Sequence, residues 1–422
     1  MRDVSTFVLA GGVGKRLFPL TRDRSKPAVS FGGNWRLIDF TLSNCLHSGI
    51  GRAAVLAQYK SESLVSHASA RWNGRGALTL DVLEPRVDDG IGWYRGTADS
   101  VYRYAWMLRR DRPRDVLILA GDHVYAMDYR PFVAWHRAHG AELTIAVARR
   151  PRTECSQFGI VERREDGRVT GFLEKPAADD PRLGAGEELC ASMGIYVFRT
   201  DVLLEALADG PGCDRRFDFG ADIIPRLVAA VPVQSYVFEH SPSGRNAYWR
   251  DVGTIDAYFE AHMAMLARVP PIATSSRLWP MLPASERTVS RRTVLGDGAW
   301  IEDSIVGPDC LIEGSVQHSV VSRGVEIAEG AEVRDAVVLP GARIGGHCRI
   351  AHAIVDEGSS LPAGTTVGYG DELQETVCSP GGVAVFSRED DVDVPCERRG
   401  DLAHAGGAYW QDCVLAHYSQ GS

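Results

Sequence analysis

Apolar and polar residues alternate with two different rhythms along this chain. Up to about residue 265, short apolar runs typical of buried strands are separated by segments with helical periodicity. The strand-like runs are TFVLAGG, AAVLAQY, DVLILAGD, LTIAVARR, GIYVFR and VQSYVFEH. The helix-like segments are IDFTLSNCLHSG, ADSVYRYAWMLRR, RPFVAWHRAHG and TIDAYFEAHMAML. This alternation predicts an α/β domain with a Rossmann-like, mainly parallel sheet over residues 1–265.

The second rhythm begins after a proline-rich stretch, residues 266–287, which we interpret as a linker. Over residues 288–388, aliphatic residues recur every six positions and glycines punctuate them. The aliphatic positions are Val306, Ile312, Val321, Ile327, Val333, Val338, Ile344, Ile350, Leu361 and Val367. This period favours a left-handed parallel β-helix over a β-sandwich with fortuitous spacing, because each short unit then buries one aliphatic side chain. Gaps of five, as from Val333 to Val338, are expected at corners that bulge.

Composition narrows the classes of function. The 422 residues suit two domains, and a net charge of −9 argues against general nucleic-acid binding, which needs a broad basic face. Nine scattered cysteines without a CxxC pair indicate free thiols in a reducing compartment. We find no signal peptide and no apolar run of membrane-spanning length, so we expect no membrane partner and a cytoplasmic protein.

The charged segment 389–422 loses the repeat and is predicted to be a surface tail. Its candidate zinc ligands are Cys396, His404, Cys413 and His417. They lack the tight spacing of a structural zinc site, so the sequence gives little support to metal binding there.

One glycine-rich loop carries an unusual number of cations. In LAGGVGKRLFPLTRDRSKP, five lysines and arginines between Gly14 and Pro27 face the single acid Asp23. The P-loop pattern fails because Leu9 stands at its first glycine, and the dinucleotide pattern fails because Leu17 stands at its third. A nest of backbone N–H groups that binds a phosphate, with Arg16 as a bidentate partner, fits better. A plain glycine-rich turn with solvated cations is the alternative.

The same stretch, continued as LAGGVGKRLFPLTRDRSKPAVSFGGNWRLIDFTLSNCLHSGI, resembles the opening of the sugar nucleotidyltransferases, in particular the bacterial ADP-glucose pyrophosphorylase family. Further matching motifs are LAQYKSESL, WYRGTADSVY, LILAGDHVYAMDY, FGIVERREDGRVTGFLEKPA, ASMGIYVF, DFGADIIP and YWRDVGTIDAYFEAHM. The resemblance covers about residues 5–265 and extends less specifically through the β-helix. It implies transfer of the adenylyl group of ATP to α-D-glucose 1-phosphate, giving ADP-glucose and pyrophosphate for glycogen or α-glucan synthesis.

That reaction brings two anions together, so the protein must neutralise both and hold them in line. Magnesium does this with one or two carboxylates and phosphate oxygens. The resemblance implies that Asp122 and Asp251 hold the metal, and that Arg16 and Lys26 stabilise the triphosphate. Taken alone, Asp122 could be a strand-terminal turn residue. Asp251 could be a helix N-cap, although Thr254 could take that role instead.

The resemblance also implies two binding sets. The nucleotide set is Leu9, Ala10, Gly11, Gly12, Gly14, Gln58, Tyr94, Gly96, Thr97 and Ala98. The sugar-phosphate set is Gly159, Glu174, Lys175 and Ser192. Within them, Gln58 is expected at the adenine edge and Lys175 at the phosphate of glucose 1-phosphate. A buried structural role for Tyr94 and a solvated one for Lys175 are the alternatives.

The family is tetrameric and allosteric, so a homotetramer with small-molecule effectors between the domains is implied. Two departures bear on regulation. The segment before Trp93 is shorter than in the family, and Asp23 stands where some relatives have an activator-contacting lysine. Alternatives for the function are another triphosphate or sugar, a non-catalytic regulatory subunit, and acyl transfer by the β-helix. The last would use His318, His347 or His352 as a base.

Overall fold

A nine-stranded sheet organises the first part of the chain. The computed structural model describes residues 1, 3–72, 76–85, 92–208, 210, 216–282, 292–370 and 376–387. The strands of this part are β1 (Val4–Ala10), β2 (Ser30–Phe31), β3 (Trp35–Arg36), β4 (Arg52–Ala57), β5 (Thr79–Leu83), β6 (Asp115–Ala120), β7 (His123–Tyr125), β8 (Leu143–Pro151), β9 (Gly159–Arg163), β10 (Val169–Glu174), β11 (Glu188–Arg199), β12 (Val233–Val237) and β13 (Trp249–Asp251). The sheet order is β10-β9-β11-β6-β1-β4-β5, and β8 lies between β11 and β12. Strands β5, β4, β1 and β6 are parallel, whereas β11 is antiparallel to β6, β8 and β9. The predicted α/β domain is confirmed.

Helices cover both faces of this sheet. They are α1 (Leu37–His47), α2 (Glu62–Arg71), α3 (Thr97–Arg103), α4 (Ala105–Asp111), α5 (Tyr129–Ala138), α6 (Thr200–Ala206), α7 (Ile224–Ala230) and α8 (Ile255–Ala264). Side chains alternate along β1: Val8 packs into the core under α1, α2 and α5, whereas Phe7 packs into the core under α3, α4, α6 and α7. The helix predicted over ADSVYRYAWMLRR is interrupted at Tyr104, whose hydroxyl donates to the Glu84 carbonyl at 2.6 Å.

The predicted linker packs closely where it is described. In residues 266–282, Trp279 is buried and its indole N–H donates to Asn44 Oδ1 of α1 at 2.9 Å. The Leu282 N–H donates to Ser43 Oγ at 2.9 Å. This part of the linker therefore packs along α1, while residues 283–287 lie outside the described part.

A second architecture begins at residue 294. Its strands are β14 (Val294–Leu295), β15 (Trp300–Glu302), β16 (Ile305–Val306), β17 (Leu311–Ile312), β18 (Ser315–Gln317), β19 (Val320–Val321), β20 (Glu326–Ile327), β21 (Glu332–Val338), β22 (Arg343–Ile344), β23 (Arg349–Val355), β24 (Ser360–Leu361), β25 (Thr366–Val367), β26 (Thr376–Cys378) and β27 (Ala384–Phe386). Successive coils stack in parallel, for example β17 on β20 and β20 on β22. The repeating aliphatic residues from Ile312 to Val367 are buried inside. The predicted left-handed parallel β-helix is confirmed.

The five-residue gaps have a structural cause. Strand β21 continues around a corner at Asp335, which has φ +45°, and β23 does the same at His352, with φ +47°. His318 occupies the corresponding corner of an earlier coil, where its Nδ1 lies 2.8 Å from Asp335 Oδ1. Left-handed corner residues thus let the strand turn while the aliphatic register is kept.

The β-helix shares an apolar core with the first part of the chain. On β21, Val338 points into the β-helix, whereas its neighbour Val337 packs with residues such as Phe31 and Tyr258. The other β-helix residues in this shared core are Leu339, Ile354, Val383 and Val385. One side of the β-helix is therefore buried on both faces of its strands.

No helix in the described ranges is long and apolar enough to cross a membrane. The predicted tail, 389–422, and its candidate zinc ligands lie outside those ranges, as does the segment 86–91 before Trp93.

Candidate active site

Three neighbouring parallel strands end at one cleft. Gly11 follows β1, Gln58 follows β4, and Gly121 with Asp122 follows β6. The Gly121 N–H donates to the carbonyl of Leu9 at 3.0 Å, which ties the ends of β6 and β1 together, and Ala10 is buried beside them. In a mainly parallel sheet of this kind, ligands bind beyond the carboxyl ends of the strands.

The glycine loop, residues 11–27, folds back on itself. Gly14 has φ +68°, and a Cβ there would lie 2.9 Å from Lys26 Cβ and 3.1 Å from Thr21 Cγ2. Only glycine fits this left-handed, crowded position without strain. Thr21 Oγ1 donates to the Gly14 carbonyl at 3.1 Å. By contrast, a Cβ on Gly12 would meet nothing within 4 Å, so this glycine faces the open cleft.

Lys26 lies between the two predicted metal ligands. Its Nζ is 2.9 Å from Asp122 Oδ2 and 2.5 Å from Asp251 Oδ1, although the two acids come from distant parts of the chain. Only 9% of the Lys26 side chain is exposed. Burial by itself lowers the pKa of Lys26, but the carboxylates of Asp122 and Asp251 outweigh it and raise the pKa. Lys26 is thus a fixed cation in the cleft.

Asp251 faces the cleft and does not cap a helix. Thr254 Oγ1 caps α8 by accepting from the Ala257 N–H at 3.2 Å, as the sequence suggested it could. Burial raises the pKa of Asp251, but Lys26 first, and then Arg16, lower it well below its usual range. Arg16 is close by, since a Cβ on Gly253 would lie 2.9 Å from Arg16 Nη2 and 3.2 Å from Asp251 Oδ2.

A two-stranded ribbon positions the carboxylates. Strands β7 and β13 pair antiparallel with His123 opposite Asp251. The Trp249 indole N–H donates to His123 Nδ1 at 3.1 Å. Since an indole nitrogen only donates, His123 Nδ1 must accept, and the ring proton then sits on Nε2. That nitrogen is 3.6 Å from Asp122 Oδ1 and 3.9 Å from Asp251 Oδ1.

The residues fit a divalent metal with two carboxylate ligands. Asp122, His123 and Asp251 place one potential ligand atom each within 4.8 Å of one another. A protonated Nε2 cannot ligate a metal, so the donor set reduces to the two aspartates. Two carboxylates and substrate phosphate oxygens are the ligands that Mg²⁺ prefers.

A second cluster gathers the predicted sugar-phosphate residues. Glu174 of β10 lies opposite Gly159 of β9, and Ala191, next to Ser192, pairs with Ile160. A Cβ on Gly159 would lie 3.0 Å from Glu174 Oε2 and would overlap the Phe172 ring. Lys175 is 56% exposed, with Nζ 3.5 Å from Glu174 Oε1. Burial, outweighing Lys175, raises the pKa of Glu174.

The two clusters are neighbours. The Gly194 N–H donates to the buried Ser192 Oγ at 3.3 Å, and a Cβ on Gly194 would lie 3.7 Å from His123 Cε1. A sugar phosphate on one cluster would therefore lie beside the carboxylates of the other.

Three of the predicted nucleotide residues, Gly96, Thr97 and Ala98, contact residues 217–219. Thr97 Oγ1 donates to Asp218 Oδ1 at 3.1 Å and accepts from the Phe219 N–H at 3.0 Å. Gly96 has φ +153°, and a Cβ there would overlap the Phe217 carbonyl. The N–H of Ala98, a buried residue, donates to the same carbonyl at 3.0 Å. These contacts fix the start of α3.

Tyr94 is only 8% exposed, and its hydroxyl lies 3.3 Å from the Leu83 carbonyl and 3.4 Å from the Tyr104 hydroxyl. Its ring edge lies beside Gly11, and its backbone N–H donates to Gln58 Oε1. Because that oxygen must accept, the Gln58 amide nitrogen is the group that can donate to a ligand.

Sequence reasoning assigned no role to His123, Trp249 or Asp218, although all three lie in motifs that carry the resemblance. The order GDH places His123 directly after a metal-ligand candidate, and this is the signal that could have found it. Trp249 and Asp218 act through partners 126 and 121 positions away, and no local pattern reveals such pairs.

Comparisons with known proteins agree with this geometry. A family model described as Nucleotidyl transferase matches residues 5–268, and one described as GlmU-like, C-terminal hexapeptide matches residues 290–386. These two matches define the class: a nucleotidyl transferase domain followed by a hexapeptide-repeat domain.

Curated relatives narrow the class. The chain is 40% identical to glucose-1-phosphate adenylyltransferase 2 of Vibrio cholerae over 87% of this chain and 93% of that one. It is 39% identical to the glucose-1-phosphate adenylyltransferase of Methylococcus capsulatus over 92% and 93% of the two chains. The Rhodopirellula baltica protein of that name is 39% identical over 95% and 93%. The chain therefore belongs to the glucose-1-phosphate adenylyltransferases of the nucleotidyl transferase family.

Proposed function

We propose that this protein transfers the adenylyl group of ATP to α-D-glucose 1-phosphate, giving ADP-glucose and pyrophosphate. A phosphate oxygen of the sugar phosphate attacks the α-phosphorus of ATP, and the bond from that phosphorus to pyrophosphate breaks. The attacking oxygen is already a nucleophile, so no covalent enzyme intermediate is needed. The observation that carries the proposal is the buried Lys26 between Asp122 and Asp251, beside a glycine loop at the carboxyl ends of parallel strands.

The two aspartates would hold Mg²⁺. When bound, the metal supplies positive charge that draws the sugar phosphate and the triphosphate together. The Asp251 carboxylate stays ionised because Lys26 and Arg16 lower its pKa. Lys26 and Arg16 would stabilise the negative charge that grows on pyrophosphate, an effect of about 3–4 kcal/mol for a well-placed donor.

The neighbouring cluster would bind the sugar. Glu174 and Ser192 offer a carboxylate and a hydroxyl to the sugar hydroxyls, and the missing side chain of Gly159 lets Phe172 and Glu174 pack closely against the backbone there. Lys175 reaches into solvent, where it can pair with the phosphate of glucose 1-phosphate. The Gly194 backbone links this cluster to His123. A bound sugar phosphate would therefore lie in line with the α-phosphorus of ATP.

The base is recognised through Gln58. Its amide oxygen is already used by the Tyr94 N–H, and the amide nitrogen can donate to a ring nitrogen of adenine. Uracil and thymine carry an N–H at the corresponding ring nitrogen, so the Gln58 amide nitrogen would have to shift toward a neighbouring carbonyl to find an acceptor. A panel of ATP, GTP, UTP and dTTP with labelled glucose 1-phosphate tests this. Equal turnover with UTP would exclude the assigned role of Gln58.

The central experiment is steady-state pyrophosphate release with ATP and glucose 1-phosphate, in Mg²⁺ and in EDTA. We expect turnover that needs both substrates and the metal. Release of pyrophosphate without the sugar phosphate, or no release with both, would contradict the proposal. Parallel incubation with acetyl-CoA and amino sugars tests acyl transfer by the β-helix.

A homotetramer regulated by small-molecule effectors, in the cytoplasm, is the assembly that we expect for this enzyme. Light scattering on the eluting protein and activity with and without sugar phosphates test the first two points. Elution as a monomer with activity insensitive to every sugar phosphate would contradict both.

A further inference from the structure

The glycine loop is attached to the β-helix close to its catalytic lysine. Arg24 Nη1 lies 3.1 Å from Asp356 Oδ1 and 3.2 Å from Glu357 Oε2. Both acids belong to the corner that follows β23. Asp356 is 332 positions away from Arg24 along the chain. Lys26 is only two residues from Arg24.

The chain is also attached on the other side of Lys26. Ser30 Oγ donates to Glu357 Oε2 at 3.2 Å, so residues 24–30, the anchor segment, contact the same acid at both ends. Arg36 adds a third link, because its Nη1 donates to the Ala28 carbonyl at 2.8 Å and its Nη2 lies 3.7 Å from Glu357 Oε1. Lys26 therefore lies within a segment held at each end by one corner of the β-helix.

That corner is itself well supported. The Asp356 N–H donates to the Phe386 carbonyl at 2.9 Å, and its Oδ1 accepts from the Glu357 N–H at 2.7 Å. Only 12% of the Arg24 side chain and 9% of the Asp356 side chain are exposed. Phe31, directly after the anchor segment, packs into the core shared with the β-helix. A buried charge pair of this kind fixes position, since breaking it leaves an unpaired charge away from water.

We propose that the β-helix positions the catalytic lysine: Asp356 and Glu357 hold Arg24, and through it they keep Lys26 between Asp122 and Asp251. Arg24 is a positioning residue, because it reaches the site through the backbone of the anchor segment. The inference rests on the proposed function only for the role of Lys26. The β-helix then supports the chemistry of the other half of the same chain.

The test compares Arg24→Met with a second break between the same two parts. Ser379 of the β-helix donates to Asp256 in the first turn of α8, so Ser379→Ala removes an interdomain hydrogen bond that does not involve the loop. Two measurements are made on the full chain: kcat and KM for both substrates, and hydrogen exchange of the amides in residues 15–30.

We expect Arg24→Met to lower kcat about 100-fold, the loss typical of a catalytic group displaced by about 1 Å, and to speed exchange in residues 15–30. Arg24→Lys should recover part of kcat, because it keeps the charge but loses the forked geometry. Ser379→Ala should leave kcat within about twofold and exchange in the loop unchanged, since it does not touch the anchor segment.

A double variant separates positioning from general damage. Because Glu357 acts in part through Arg24, Arg24→Met with Glu357→Gln should lose less kcat than the product of the two single losses. Multiplicative losses, or a loop exchange rate in Arg24→Met equal to that of the wild type, would overturn the proposal. If the wild type releases no pyrophosphate, the proposed function fails, and the exchange comparison alone then decides whether the β-helix holds the loop.

Discussion

Replacing Lys26 by methionine removes the cation that joins both carboxylates of the site, while the new side chain keeps most of the length and apolar stem. The ammonium lies 2.5 Å from Asp251 and 2.9 Å from Asp122. The side chains of Lys26 and Asp251 are only 9% and 13% exposed, so water cannot replace the lost partner easily.

The size of the effect follows from these distances. At an effective dielectric constant of about 20, each pair attracts by about 6 kcal/mol. Most of that attraction offsets the cost of taking the charges out of water. Removing one partner of such a buried pair typically costs about 3–5 kcal/mol, because the remaining charge stays buried and unpaired. For a chain of 422 residues this corresponds to a fall in the melting temperature of about 3–6 °C.

Thermal unfolding with and without Mg²⁺ is the assay. Lys26→Met should gain more stability from Mg²⁺ than the wild type, because the metal supplies the missing positive charge. Saturation to 100 times the dissociation constant would contribute about 2.7 kcal/mol. Turnover should fall by about 100-fold or more, even where Mg²⁺ restores the melting temperature.

Lys175→Met is the matched control for stability. Lys175 is 56% exposed and pairs with Glu174 at 3.5 Å, so its loss should cost at most about 1 kcal/mol. Equal melting temperatures for the two variants would refute the inference that Lys26 is a buried cation compensating two acids. A melting temperature of Lys26→Met that does not respond to Mg²⁺ would refute the assignment of the metal to these carboxylates.

Three further outcomes are expected. Asp122→Asn should remove nearly all pyrophosphate release with an unchanged circular dichroism spectrum, and near wild-type turnover would exclude Asp122 from the metal site. Glu174→Gln should raise KM for glucose 1-phosphate by about 10-fold or more at unchanged KM for ATP, as expected for one lost hydrogen bond to a charged group. Burial lowers the pKa of His262 to about 4 from its ordinary 6.5, and its Nε2 accepts from the Gly32 N–H at 3.0 Å. As the pH falls, the His262 imidazole binds a proton in the unfolded chain before it does so in the folded chain. The free energy of unfolding should therefore drop between pH 6.5 and 4, by about 3 kcal/mol in total. Urea unfolding across this range should show a shallower drop for His262→Gln, and identical profiles would contradict it.

The secondary-structure elements could be predicted because their signals are local. The apolar runs of β1, β4 and β6 predict buried strands, and the six-residue period predicts each coil of the β-helix. The roles of Arg16, Lys26, Asp122 and Asp251 were implied by the resemblance, and the structure brings these four residues together.

Partners that meet through tertiary packing could not be predicted in this way. Arg24 is one of five cations in its loop, and nothing nearby in the sequence shows that its partners are Asp356 and Glu357. The proton position on His123 depends on Trp249, 126 residues away, which pairs through the β7–β13 ribbon. Which side chains become partners depends on how the two parts of the chain pack, and a periodic sequence pattern contains no information about that packing.

The apolar core shared by the two parts limits how this enzyme can be taken apart or recombined. Separating the two parts would expose five β-helix side chains to water, at about 1.5–3 kcal/mol each. They are Val337, Leu339, Ile354, Val383 and Val385. The nucleotidyl transferase part is therefore no portable module. A hybrid with a foreign β-helix would aggregate or lose its fold unless the donor brought the same apolar stripe, so the two halves must be inherited, and must diverge, together.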